Sequence, residues 1–541
     1  MKKIIIFILI LVIGFLAYYY INYEDNTIKI TKCDEFKIIV ENDFELKTFI
    51  KSENYFNQII YNNEIEYLPI KLINNRNVDY DFDFNNKIIT LSNRDKLFRF
   101  DLDDKNIKII KGEVFIDYNL LEREFGIKSY YSEDNKLVLI KNENGNSLKG
   151  KINKEAFLYK YNNIESDKTK VVILDEEFIV SEVDENWYYG YNENFEYGYI
   201  KKDDLKNITE IKAKKELALS NKDKIIMTWD QIYSYSDSRT ISGIKGLNII
   251  SPTWYKLTSD SGDFSSISSE NYINSAKDNN YKIWPLVSNT FGDIEMTSRF
   301  LNNSNSRKLF IENLITEFEK HEFEGINIDF ENIYMKDKDK FTQFISELSY
   351  EFSKKNIIVS VDVTVMGGSE NWSLCYDRLR ISELVDYLVI MTYDEHWASS
   401  KESGSVASYN WVKDSLNEII EIVDSEKIIM GIPFFTRIWY EVPSKTVVNQ
   451  MDVTSKTITL KGQRNLLNDI DVKPIWDDKA KQFFVSYIKD SKVKKVWLEE
   501  EISIKEKTKL VNELNLAGVA MWSKGFETEN IWKIISDEVG D

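Results

Sequence analysis

The 541-residue sequence predicts a multidomain chain that ends in an α/β (β/α)8 TIM barrel, preceded by a small α+β repeat domain and a small all-β barrel. Three observations predict it. In the C-terminal part, eight apolar, β-branched runs alternate with amphipathic helical stretches. Runs such as Ile357–Val363 and Tyr387–Tyr393 are nearly continuous in apolar residues, as parallel strands covered by helices should be. Ahead of them the text changes to short alternating strands broken by Asn- and Asp-containing turns.

Composition narrows the function classes. An apolar share of 43% with 13% aromatic residues excludes wholesale disorder. Lys plus Arg number 70 against 89 Asp plus Glu, a net charge of −19 that repels a phosphate backbone and excludes nucleic acid as a partner. Two cysteines, Cys33 and Cys375, cannot build a disulfide scaffold, and only His321 and His396 are available for a histidine-rich metal site. Neither metal nor cofactor is expected.

Residues 1–26 place Lys2 and Lys3 before an apolar run from Ile4 to about Ile21, long enough for a transmembrane helix. Tyr18, Tyr19 and Tyr20 sit where an interfacial belt would lie. With no small-x-small pattern after the run, a retained signal anchor is favoured over a cleaved signal peptide, the rest of the chain lying outside. Residues 27–148 contain two similar segments, from Glu64 and from Glu113. Each reads as a strand, a helix and a hairpin with its turn at Asn85-Asn86 or Asp134-Asn135. This unit resembles the amine-oxidase N-terminal-like stalk of exported wall proteins. Residues 149–206 read as short strands, and Trp187-Tyr188-Tyr189 with Tyr197-Gly198-Tyr199-Ile200 resembles the ending of bacterial SH3-like barrels. Those aromatics either bind wall material or fill the barrel. A polar helical linker is expected over Ile208–Asn221.

Residues 222–541 hold the barrel. Its strands are expected at Lys224–Trp229, Leu247–Pro252, Ile283–Ser288, Gly325–Glu331, Ile357–Val363, Tyr387–Tyr393, Ile428–Pro433 and Ala517–Trp522. An insertion at about Ile438–Lys495, between the last two, is expected to wall the active-site cleft.

The chemistry is concentrated in Glu324-Gly325-Ile326-Asn327-Ile328-Asp329-Phe330-Glu331-Asn332. Strand alternation sends Ile326, Ile328 and Phe330 to the helices and stacks Asn327, Asp329 and Glu331 in the interior. Carboxylates facing a packed core are costly, so such a stack is expected only where it is used. Charge shared between Asp329 and Glu331 would keep a proton on Glu331 near neutral pH.

This text resembles the D-x-x-D-x-D-x-E signature of glycoside hydrolase family 18, the chitinase-like enzymes, with Asp329 and Glu331 in place. Glu324 stands at the first position, and Asn327 replaces an acid at the second, as in spore- and wall-associated N-acetylglucosaminidases. Met391-Thr392-Tyr393-Asp394, Gly431-Ile432-Pro433-Phe434-Phe435 and Ala517-Gly518-Val519-Ala520-Met521-Trp522 resemble the family's last three strands. The resemblance implies a retaining, substrate-assisted hydrolysis in which the sugar's 2-acetamido group attacks the anomeric carbon. Glu331 would be the general acid and base, Asp329 would hold the acetamido N–H, Asn327 would orient Asp329, and Tyr393 would bind the acetamido oxygen. Asp394 and Met391 would flank the sugar, Trp522 would stack beneath it, and Trp254 and Trp439 would line further subsites. The expected substrate is an N-acetylglucosamine-containing glycan, peptidoglycan before chitin, because a tethered enzyme reaches only nearby wall. The alternative is a catalytically inactive glycan-binding scaffold.

Overall fold

The computed structural model describes residues 30–32, 37–42, 45–49, 58–61, 65–73, 78–110, 112–132, 137–142, 147–211, 224–236, 238–444 and 450–540. The expected anchor at residues 1–26 and Cys33 lie outside them. Among the described residues no helix is long and apolar enough to cross a membrane. The chain forms two compact units, Met1–Tyr80 with Phe100–Glu216, and Asp81–Arg99 with Leu217–Asp541.

The first unit holds a five-stranded sheet, a four-stranded sheet and a seven-stranded antiparallel sheet. The second of the two similar segments folds as read. Strand Glu113–Asp117 leads into helix Tyr118–Phe125, because the Asp117 carboxylate accepts from the Leu120 N–H and Gly126 ends the helix at φ +66°. In the first segment, strand Ile65–Pro69 leads only into the 3-10 turn Ile70–Leu72. There Pro69 stands at the cap position and offers no side-chain acceptor. The expected turn at Asp134-Asn135 lies outside the described residues. In the seven-stranded sheet Ile152, Leu158, Val172, Phe178 and Val180 form the core. Trp187 and Tyr189 are buried, packed edge-on against Tyr159 and Tyr199, so these aromatics serve as packing. The start of the expected helical linker is instead strand Leu205–Ile211, paired with Ser147–Ile152.

In the second unit eight parallel strands close a ring. They are β1 (Ile225–Asp230), β2 (Ile249–Leu257), β3 (Leu286–Ser288), β4 (Gly325–Asp329), β5 (Ile358–Thr364), β6 (Tyr387–Met391), β7 (Ile428–Pro433) and β8 (Gly518–Trp522). Each pairs with the next, and β8 pairs with both β7 and β1. Alternation divides the side chains into two layers. Ile326, Ile328, Val361, Leu388, Ile390 and Val519 face the surrounding helices. Met227, Trp229, Trp284, Val389 and Ala520 fill the interior. The lower interior is closed by the Trp284 indole, which occupies the place a Cβ on Gly325 would take, 2.4 Å away.

Helices α1 (Ser304–His321) and α2 (Lys338–Ser353) flank β4 in sequence. On them packs a three-stranded meander, Asp79–Asp83, Ile88–Ser92 and Leu97–Asp101, most of which belongs to the barrel's compact unit. The buried Arg307 guanidinium of α1 donates to Asp81 at 2.5 Å and to Glu347 of α2 at 2.8 Å, while Arg99 donates to Glu347 at 2.9 Å. Asp83 accepts from the Ser304 N–H and hydroxyl. Burial raises its carboxyl pKa, but the hydrogen bonds from Asn86 and Ser304 outweigh that and hold it down at about 2.

The insertion between β7 and β8 forms a five-stranded antiparallel sheet from Phe435 to Leu498 with a helix, Leu460–Asn468. Asp477, Lys479 and Trp497 from it line a cavity of about 830 Å3 together with Glu395 and His396, which follow β6. None of Asp329, Glu331, Tyr393, Asp394 or Trp522 lines that cavity; the insertion reaches the acids through Arg437, whose guanidinium stands 3.5 Å from the Asp394 carboxylate.

Candidate active site

β4 delivers the acids. Gly325, Asn327 and Asp329 point inward, and all are buried. The strand ends at Asp329, two residues earlier than expected, so Glu331 lies on the loop above it and is half-buried. The loop is pinned. The Asn289 amide donates to the Glu331 carbonyl at 2.8 Å and accepts from the Glu331 N–H at 3.0 Å. The Tyr376 hydroxyl donates to the Phe330 carbonyl at 2.8 Å. A carboxyl on a backbone held at both polar groups is aimed before any ligand arrives.

Below Glu331 the interior is acidic. Asp362 of β5 is 1% exposed and Asp329 6%. The indole N–H of Trp229, from β1, donates to Asp362 Oδ2 at 3.2 Å. Room for that ring comes from Gly431 on β7, where a Cβ would stand 3.2 Å from it. Trp229 also meets Tyr393 at 6.5 Å and Trp522 at 5.7 Å between ring centroids. The Asn327 amide approaches Asp362 closely enough to favour its charged form, yet neither amide atom finds a hydrogen-bond partner of good geometry.

Burial pushes the Asp329 carboxyl well above its usual range, and the neighbouring Asp362 charge adds to this. Burial likewise raises Glu331, followed by the charges of Asp329 and Asp394. Asp362 is raised by burial and by Glu331, against the pull of Trp229 and Asn327. Tyr393, just past β6, is held neutral by burial and then by the four surrounding acids, so its hydroxyl is a hydrogen-bond donor. Asp394 sits at φ +61° with its carboxylate 3.5 Å from Arg437. Burial raises its pKa and Arg437 opposes the rise; with the side chain 43% exposed, solvent moderates both effects.

Tyr393, Asp394 and Trp522 thus gather around the Asp329–Glu331 pair at the C-terminal mouth of the barrel, and Met391 is buried in the wall below Tyr393. Two expected subsite residues do not join them. Trp254 alternates to the outer face of β2, where it is 2% exposed and packs on Tyr272 and Phe323 between barrel and helices. Trp439 is fully buried, its indole N–H donating to the Gly404 carbonyl at 2.8 Å. Both are core residues: the Trp254 ring faces the helices, and the Trp439 ring is enclosed beside Gly404 and His396.

Sequence reasoning passed over Asp362, Trp229 and Asn289. For Asp362 a signal existed: an acid inside IIVSVDV, a run otherwise free of charge. Asn289 carried none, since its partners are backbone groups of a residue 42 positions away. Exposed tryptophans on the loops after β5 and β6, Trp372 and Trp397, also stand at the mouth.

The sequence profile of the glycosyl hydrolases family 18 matches residues 224–527, more than half of the chain. The chain belongs to glycoside hydrolase family 18. It is 33% identical over 272 residues to the uncharacterized glycosylase YvbX of Bacillus subtilis, covering 48% of this chain and 76% of that protein. It is 24% identical over 263 residues to the cortical fragment-lytic enzyme of the same organism, covering 47% of this chain and 58% of the relative. This family 18 chain thus spans little more than half of that second protein. Among solved structures, the C-terminal domain of a putative chitinase from Desulfitobacterium hafniense superposes with a TM-score of 0.52 at 24% identity, over 59% of this chain and 99% of that one. The spore cortex-lytic enzyme SleL of Bacillus megaterium gives 0.50 at 22%, over 61% and 77%. These likenesses show the barrel fold. The family 18 chain is a chitinase-like glycoside hydrolase related to spore cortex-lytic enzymes.

Proposed function

We propose that this glycoside hydrolase cleaves β-1,4 bonds beside N-acetylglucosamine in peptidoglycan by a retaining, substrate-assisted mechanism. The observation that carries the reading is Glu331, a half-buried carboxyl on a fixed loop, its pKa raised by burial and by Asp329 and Asp394 so that it keeps a proton to give. Asp329 and Glu331 are neighbours on one chain segment and cannot flank a glycosidic bond from opposite faces, which suits attack by the substrate's own acetamido oxygen.

In this mechanism the acetamido oxygen bonds to the anomeric carbon as Glu331 gives its proton to the departing glycosidic oxygen. Glu331 then takes a proton from the water that opens the cyclic intermediate, restoring the starting state with retained configuration. Asp329 accepts the acetamido N–H and offsets the positive charge that develops. The neutral Tyr393 hydroxyl donates to the acetamido oxygen and steers it. Trp522 offers an apolar face to the pyranose ring, while Asp394, held by Arg437, positions the sugar.

Peptidoglycan is favoured over environmental chitin by the anchor-like residues 1–26, which would tether the enzyme outside the membrane. The kinship with proteins named as cortical fragment-lytic supports the same choice. The stalk-like segment of residues 27–148 and the SH3-like segment of residues 149–206 would then act as a spacer between membrane and barrel.

The test compares wild type with Glu331→Gln on purified peptidoglycan and on chito-oligosaccharides, following new reducing ends by mass spectrometry. Product release should fall by about 10²–10⁴-fold in the variant while binding persists. Equal release from both proteins, or none from either with binding intact, would reject the enzyme and leave the glycan-binding scaffold.

A further inference from the structure

Asp362 has no part in the roles assigned above, yet it is among the most buried charges of the barrel. Its Oδ2 accepts from Trp229, while its Oδ1 is buried without a hydrogen-bond partner. Asp329 Oδ1 is in the same condition. The parallel register pairs Asn327 with Ser360 and Ile328 with Val361, so its continuation sets Asp329 abreast of Asp362. Two carboxylates side by side in a dry interior cannot both ionise, and one proton between them satisfies both bare oxygens at once.

We propose that Asp362 is a positioning residue for the hydrolysis: it holds the one proton retained by the Asp329–Asp362 pair and donates it to Asp329, keeping that carboxylate ionised and aimed at the acetamido group. The inference rests on the substrate-assisted reading above. The groups facing Asp362 are Asp329, Glu331 and Asn327 from β4 and its loop, Trp229 from β1 and Tyr393 from the segment just past β6, and none is a cation that could neutralise it instead. Asn327 cannot take over this duty, because an amide has no titratable proton to share with a carboxylate. The acid that the family signature carries on the fourth strand is thus supplied here from the fifth.

The test uses the full chain with Asp362→Asn and the exchange variant Asn327→Asp/Asp362→Asn, with folding checked by circular dichroism. In Asp362→Asn, kcat/KM on chito-oligosaccharides should fall about 10- to 100-fold, the usual cost of removing an outer partner of a functional group. A paired acid ionises first at a pKa below that of a lone one, so the acid limb of the profile should move up by about one pH unit. The exchange variant should regain most of the lost activity, which a merely structural role would not allow. In infrared spectra at neutral pH, Asp362→Asn should lose one protonated-carboxyl C=O stretch. An unchanged pH profile and spectrum in Asp362→Asn, or a folded exchange variant no better than Asp362→Asn, would overturn the inference. A wild type inactive on these substrates would instead overturn the proposed reaction, and the infrared arm would still decide whether the two acids share a proton.

Discussion

Arg307→Met tests whether the meander of residues 81–99 is part of the barrel or an ornament on it. The Arg307 guanidinium is fully buried, with Asp81 and Glu347 beside it at side-chain exposures of 1% and 0%. It also donates to the Leu301 carbonyl. Removing it leaves two buried carboxylates facing each other, with the partly exposed Lys340 and Arg99 as their nearest cations. Breaking a buried ion pair by deleting one partner costs about 3–5 kcal/mol. Unfolding entropy near 2.1 cal/mol/K per residue, taken over the barrel unit Asp81–Arg99 plus Leu217–Asp541, converts this to a fall in Tm of about 4–7 °C. Calorimetry on the full chain should show the fall in one transition only, that of the barrel unit. A fragment beginning at residue 222, which lacks the meander and its buried Ile89 and Leu91, should melt lower still. A loss below about 1 kcal/mol in Arg307→Met, or a fragment that melts with the intact barrel, would refute the reasoning.

Asp394→Asn removes a like charge that helps raise Glu331; the Glu331 pKa should drop, and the alkaline limb of kcat/KM should move to lower pH, measured as a pH–rate profile. Burial raises Asp329, Glu331 and Asp362 in the folded state, so their contribution to stability is full below the unfolded carboxylate range and is lost as pH rises through the folded values. Denaturant titrations should therefore show Asp329→Asn more stable than wild type at neutral pH, the difference closing in acid. Asn289→Ala frees both polar groups of Glu331 and should lower kcat about tenfold with little change in KM, an order of magnitude being about 1.4 kcal/mol of the barrier. Trp254→Ala should cost about 3–5 kcal/mol in denaturant unfolding and leave kcat/KM of the folded fraction unchanged, as expected for a core ring.

The eight strands and the acidic stack on β4 were legible because both are local patterns. Apolar runs with period-two alternation identify a parallel strand wherever it ends up, and an Asp–x–Glu pair in such a strand states its own cost. The sequence by itself therefore determined the barrel, the family and the placing of Asp329 and Glu331 on one segment at the end of β4. Tertiary structure alone decided which other groups meet that pair. Asp362, Trp229 and Asn289 arrive from β5, β1 and the loop after β3 because ring closure brings distant segments into contact; the neighbourhoods of Trp229 and Asn289 record nothing of it, and that of Asp362 only a charge inside an apolar run. The barrel turned Trp254 outward, and the insertion's sheet buried Trp439 beside Gly404, since an indole reads alike in sequence whether it faces a sugar or a helix. The barrel also drew Asp81–Arg99 onto α1 and α2, where a buried guanidinium requires two carboxylates that one of those helices can only half supply.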